Sequence, residues 1–208
     1  MRVLVVGTLP DAIDRAAVEL EAAGHDVVQC HGSAEPPFPC AGLIDGRECP
    51  LDAAPVDVVV TARDRPWPRP AAYEEGAICA LRRHTPLVSL HEGTDPFARW
   101  TCREASLVAD LPGAVEEAAT APLADHSAVA AAAAQSVAVA AGVDPAGIGA
   151  VVHRARGALK VKLTLTPAAS HLEGTIAARV MTALRELDTA ATGIDIGVNP
   201  PEAGGAGE

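Results

Sequence analysis

Aromatic residues are almost missing from this chain, at 2% of its 208 residues. Anchors such as Trp67, Tyr73 and Trp100 are therefore few. Any core must be built from alanine, valine and other small side chains, which require close backbone approach. Positive charge is also short, with 16 Lys and Arg against 27 Asp and Glu and a net charge of −11. That balance excludes nucleic-acid binding, where neutralisation of phosphates supplies most of the affinity. Local basic clusters (Arg63, Arg65 and Arg69; Arg82 and Arg83; Arg154 and Arg156) suit small anions better than a duplex. No convincing membrane span is present, since the long run HSAVAAAAAQSVAVAAG is alanine, which is too weakly apolar. An acidic helix start follows MRVLVVG too soon for a signal peptide, so a cytoplasmic protein is expected. Two diagnostic spacings are missing as well. Without C-x2-C there is no zinc ribbon or ferredoxin-type run, and without G-x-G-x-x-G there is no dinucleotide fingerprint.

What is present divides into two grammars. In the first, RVLVVG, HDVVQC, VDVVVTA and PLVSL read as buried strands, with helices over PDAIDRAAVELEAAG and PAAYEEGAICALRRH. Pro10 opens the first helix and Gly24 closes it. Strands alternating with helices imply right-handed crossovers and a parallel α/β sheet, flavodoxin-like, of order 2-1-3-4. This domain spans residues 1–112, with a cysteine-containing loop over 30–55. A short helix and linker cover 113–126. The second grammar, over 127–198, is α-β-β-α-β, a small α+β domain. In ALKVKLTLTP, Leu159, Val161, Leu163 and Leu165 alternate with polar residues, so a hairpin through Gly157 is expected. SHLEGTIAARVMTALRELDTAA is amphipathic, with Leu172, Ile176, Val180 and Leu184 at four-residue spacing, and GIDIGV is the last strand. Residues 199–208 read as a mobile tail.

The stretch AGV, the alternating second strand, MTALREL and the closing GIDIGV make the second domain resemble the alkaline-shock protein family. The resemblance implies protein–protein or membrane-surface scaffolding, hence a protein partner or self-association through this domain. The first domain, with GHDVVQCHG after its first helix, resembles the opening of a response-regulator receiver. A receiver's chemistry does not carry over. Gly7-Thr8-Leu9 stands where acidic magnesium ligands belong, and Thr61 stands where the phosphorylated aspartate belongs, with Asp57 too early and Asp64 too late.

The cysteines carry the main chemical signal. Three of five fall in a Pro/Gly-rich stretch as Cys30-x9-Cys40-x8-Cys49, with only Phe38, Leu43 and Ile44 to order the loop. In a reducing compartment thiols serve as ligands, redox groups or small buried hydrophobes rather than structural disulfides. Three soft thiolates converging on one ion would close the loop at both ends, and they select zinc or an iron–sulfur cluster. Cys79 is the expected fourth ligand, with His31 and Cys102 as alternatives. Two other readings stand beside this one: a redox pair of Cys40 with Cys49, and inert thiols. A separate reading places a small phosphorylated or nucleotide-like ligand at the carboxyl edge of the sheet, held by Gly7, Thr8, Arg63 and Arg65. Glu74 and Glu75 read as a helix first turn, His84, His91, His153 and His171 as surface groups, and Asp125 or Ser127 as a helix N-cap. No nucleophile, base and orienting group assemble from the sequence. A non-catalytic, redox- or metal-responsive regulatory or adaptor protein is therefore expected.

Overall fold

The computed structural model describes residues 1–32, 35–44, 46–64, 66, 68–91 and 94–199. It divides into two units, Met1–Ala121 and Pro122–Glu208. The first unit is the expected α/β sheet. Its elements run β1 (Arg2–Gly7), α1 (Pro10–Ala22), β2 (Asp26–Gln29), α2 (Pro50–Ala53), β3 (Val58–Ala62), α3 (Glu75–Arg82), β4 (Leu87–Leu90), β5 (Thr101–Ala105) and α4 (Leu111–Thr120). All pairings are parallel and the strand order is 2-1-3-4-5. β3 is buried on both faces, as its unbroken apolar run requires.

Two small-residue cores cover the faces. Leu20, Ala16 and Ile13 of α1 pack with Leu111 and Val115 of α4 on one side. Leu4, Val6, Leu51, Val59, Ala77 and Phe97 fill the other, where Cys30 and Cys49 join them. Gly7 shows how close the backbones come. A Cβ there would lie 2.3 Å from the carbonyl oxygen of Ala62.

Two details differ from the sequence reading. TCREA forms a fifth strand, unmarked because it lies at the sheet's edge and buries only Ala105. Residues 111–120 form a helix packed in the first core, so the chain passes from one unit to the next after Ala121, not across 113–126.

The second unit comprises α5 (Ala124–Ala140), β6 (Gly149–Ala155), β7 (Ala158–Thr164), α6 (Glu173–Leu187) and β8 (Ile194–Asn199). β6 and β7 form the expected antiparallel hairpin, turning through Arg156 and Gly157, both at positive φ, and β8 lies parallel to β7. Leu159, Val161 and Leu163 face Ala130, Ala134, Ile176, Val180 and Leu184. β8 extends through Asn199, and the rest of the expected tail, 200–208, lies outside the described residues. Neither Asp125 nor Ser127 caps α5. Its N-cap is Leu123, and Ser127 Oγ donates to the Leu123 carbonyl while accepting the Val152 N–H at 2.9 Å. Among the described residues no helix is long and apolar enough to cross a membrane.

Candidate metal centre

Four chain segments bring thiols to one small cavity beside the β2 edge of the sheet. Cys30 directly follows β2 and is carried inward by it, against Leu4 and Val6 of the neighbouring strand. Cys40 opens a 3₁₀ turn, where the Leu43 N–H donates to its carbonyl at 2.9 Å. Cys49 is the N-cap of α2, and Pro50 presets the first helical position. Its carbonyl accepts the N–H groups of Asp52 and Ala53. Cys79 lies one turn into α3, on the side of Glu75 and Gly76. The cavity, about 50 Å³, is lined by Cys30, His31, Cys40, Cys49, Glu75 and Cys79.

Two glycines let the thiol-bearing segments approach this closely. A Cβ on Gly76 would meet Cys30 Sγ at 2.7 Å and Val6 Cγ1 at 2.9 Å, and one on Gly42 would meet Cys49 Cβ at 3.0 Å. Burial first, then the neighbouring Cys49, Cys79 and Cys40, pushes the Cys30 thiol up to about 12. Cys79 is raised for the same leading reason, with Arg82 and Arg83 acting in opposition. Among the described residues no three Cys, His, Asp or Glu side chains already stand as a complete ligand group, so the thiols share a cavity without closing on a point.

The loop that carries Cys40 is clamped from outside. Arg47 forms a two-pronged ion pair with Glu35, whose carboxylate also accepts the Gly32 N–H at 2.9 Å. The Arg47 hydrogen bond leads in holding Glu35 down to about 2. The Tyr73 hydroxyl donates to the Glu35 carbonyl at 3.0 Å, and the His31 ring meets the Tyr73 ring edge-on at 6.1 Å. Arg83, from the end of α3, donates to the Leu51 carbonyl and pairs with Asp52. None of these clamps follows a sequence motif, since each joins residues that only the fold brings together.

Of the expected ligands, Cys30, Cys40, Cys49, Cys79 and His31 come together. Cys102 does not: it lies exposed on β5, away from the cavity lining. The residues expected to hold a small ligand are placed differently from one another. Gly7 packs on β3, Thr8 donates to Asp64, and Arg65 lies outside the described residues. Arg63 is buried and gives its guanidinium to both oxygens of Glu74, at 2.9 and 3.1 Å. Glu74 stands in a first turn, as expected, that of the short 3₁₀ segment Ala72–Glu74 ahead of α3, but its side chain is turned inward. It is fully buried, which raises its pKa, although the Ala71 N–H and Arg63 oppose that rise.

A buried polar chain continues from this pair. Asp95 lies 4.0 Å from Arg63 and accepts the Ser89 hydroxyl at 2.7 Å, and Ser89 Oγ lies 3.0 Å from His91 Nδ1. In the second unit, buried Asp188 joins His126 Nε2 at 3.1 Å and Arg154. Residue type alone flagged neither assembly, because both join residues distant in sequence. Comparison with protein-family models, curated proteins and solved structures finds no match to this chain.

Proposed function

We propose that this chain is a non-catalytic regulatory or adaptor protein whose first unit carries a cysteine-ligated zinc or iron–sulfur centre. One observation carries the reading: four thiols from four separate segments line one cavity, and two glycines in its lining, Gly42 and Gly76, let those segments pack this closely. The donor set suits the group, since thiolate sulfur is the preferred ligand of zinc and of iron–sulfur clusters. Cys30, Cys40, Cys49 and Cys79 would hold it, with His31 at hand as a substitute. When bound, zinc would supply a closed structural cross-link, and a cluster would add one-electron redox chemistry. The chain's own part is to bring the segments together. β2 and α3 present Cys30 and Cys79 from ordered elements, while the Glu35–Arg47 and Arg83–Asp52 pairs hold the intervening loop over them.

Loss of the centre would release residues 31–55 from this arrangement and change the surface they offer. The second unit would supply the docking surface. Its helices cover one sheet face, while the other turns Val151, Lys160 and Lys162 outward. Its resemblance to the alkaline-shock family supports partner binding or self-association there.

Purification without oxygen, followed by metal and sulfide analysis, tests the centre. The expected result is one zinc or one cluster per chain, lost in Cys40→Ser and Cys79→Ser and kept in Cys102→Ser. Metal-free protein that takes up neither zinc nor iron, or equal loading in all three variants, would refute it.

A further inference from the structure

A second cavity lies between α3 and the turn that joins β4 to β5. Ile78, Leu81 and Arg82 stand at i, i+3 and i+4 on α3 and so share one helix face. Pro96, Phe97 and Trp100 come from the turn. That turn is held in shape by its own hydrogen bonds. Asp95 accepts the Phe97 N–H at 2.8 Å, and the Phe97 carbonyl accepts the Trp100 N–H at 2.8 Å and the Thr101 hydroxyl at 3.2 Å. Phe97 also packs in the core with Ala77 and Ala80, so it makes a fixed wall. None of these lining residues belongs to the cysteine cavity. We propose that this second cavity binds a small amphipathic carboxylate, an acid group on an apolar body of about ten carbons.

Size and lining select the apolar body. The volume is about 520 Å³, within the range of small-molecule sites. Of the described lining residues all but Arg82 are apolar, and Ile78 and Trp100 are 37% and 43% exposed. An apolar patch with a polar rim, left facing water, is the ordinary form of a binding surface.

Charge selects the head group. Arg82 is exposed and makes no ion pair or hydrogen bond among the described residues, while its neighbour Arg83 is tied to Asp52. Arg99 adds a second cation beside the cavity, its guanidinium 3.8 Å from the centre of the Trp100 ring. The acid next to the lining in sequence, Asp95, is engaged by Arg63 and Ser89 instead. The net charge of −11 is spread over the whole chain, and exposed charges beyond about 8 Å are largely screened at physiological salt, so the two arginines decide locally. A second copy of the chain fits less well. A two-fold contact would set the same patch on both partners, arginines against arginines.

The test is calorimetric titration of the full chain with decanoate. Trp100 emission is followed in parallel in Trp67→Phe, where it is the only tryptophan left. The expected result is one site with a Kd of about 0.1 mM and a saturable change in Trp100 emission. Octanoate should bind about tenfold more weakly, and decyltrimethylammonium, with the same tail and the opposite charge, at least about tenfold more weakly. Arg82→Gln should weaken decanoate about fivefold, and Ile78→Glu should abolish binding. Both side chains are exposed, and an unchanged urea midpoint checks that the fold is kept. Arg179→Gln, which removes an exposed charge from α6, should leave the affinity unchanged. So should Cys40→Ser, which separates this site from the metal reading. No heat and no change at Trp100 with decanoate at about 10 mM would overturn the proposal. Equal affinity for decyltrimethylammonium, or for decanoate in Arg82→Gln, would also overturn it by reducing the cavity to an apolar patch. A dimer that Ile78→Glu dissolves and decanoate does not would overturn it in favour of a second copy.

Discussion

Replacing Gly76 by alanine puts the geometry of the cysteine cavity under direct strain. The new Cβ would stand 2.7 Å from Cys30 Sγ and 2.9 Å from Val6 Cγ1. Comfortable contact between such atoms begins at about 3.5 Å, so something must retreat by ~1 Å. Val6 is 1% exposed and wedged in the sheet core, so the displacement falls on Cys30. A zinc–sulfur bond of about 2.3 Å tolerates only ~0.2 Å, and the thiols must close inward to reach one ion, so a Cys30 sulfur held off by the new methyl does not complete the set. In metal-free protein the penalty is smaller. Overpacking costs about 1–3 kcal/mol, and alanine recovers up to ~1 kcal/mol of helix propensity over glycine, leaving a net loss of about 0–2 kcal/mol. The assay pairs urea unfolding, followed by the fluorescence of Trp67 and Trp100, with metal analysis of the same samples. The expected outcome is a mild loss of stability without metal and a large loss of loading. Wild-type loading together with a wild-type unfolding midpoint in Gly76→Ala would show that Cys30 does not lie where this reasoning needs it.

Glu74→Gln removes the nearer of the two carboxylates beside the buried Arg63 guanidinium, leaving Asp95 at 4.0 Å, and should destabilise the first unit by about 3 kcal/mol in urea titrations, with Arg63→Met less costly than that when combined with Glu74→Leu. In the second unit, burial pushes Asp188 up, but the His126 hydrogen bond and the Arg154 guanidinium together hold it below the usual carboxylate range. Its contribution is therefore complete above the ordinary value of about 3.9 and drains away as pH falls through the lower folded value. Asp188→Asn should flatten that acid limb and cost about 3–5 kcal/mol at neutral pH. Far-UV circular dichroism must report it, because no Trp, Tyr or Phe occurs after residue 100. Arg83→Ala removes the tie from α3 to Leu51 and Asp52 and should speed proteolysis within residues 35–50, with Arg82→Ala as the control that does not.

Much of this architecture was legible because period and punctuation agreed. RVLVVG and VVVTA are continuous apolar runs, and only a strand buried on both faces accommodates them. The alternation from Leu159 to Leu165 alone distinguishes the wet and dry faces of β7. β5 escaped because an edge strand with one buried residue has no apolar signature. Convergence of the thiols was readable to the extent that topology dictates it: Cys30 after β2 and Cys79 on α3 must share an edge in a 2-1-3 sheet. Arg63, Glu74, Ser89, Asp95 and His91 were unreadable as a set. Each alone is an ordinary polar residue after a strand or at a helix start, and only tertiary folding makes them neighbours in the dark of the core. His126 with Asp188 is the same case, 62 residues apart.

The contrast between the two sheets sets the order in which they can form. The β6–β7 hairpin closes across two residues, Arg156 and Gly157. β1 instead waits for both neighbours: it pairs with β2 only after α1 and with β3 only after the cysteine loop, and Arg2 meets the Asp57 carboxylate across 55 residues. Loop-closure entropy must be met before such distant pairings return anything, so the hairpin forms early and the parallel sheet late. Refolding should accordingly show a fast phase from the second unit and a slow one from the first. During the interval between them, RVLVVG and VVVTA remain unpaired and apolar, which makes the first unit, and not the alanine-rich second, the place where aggregation starts.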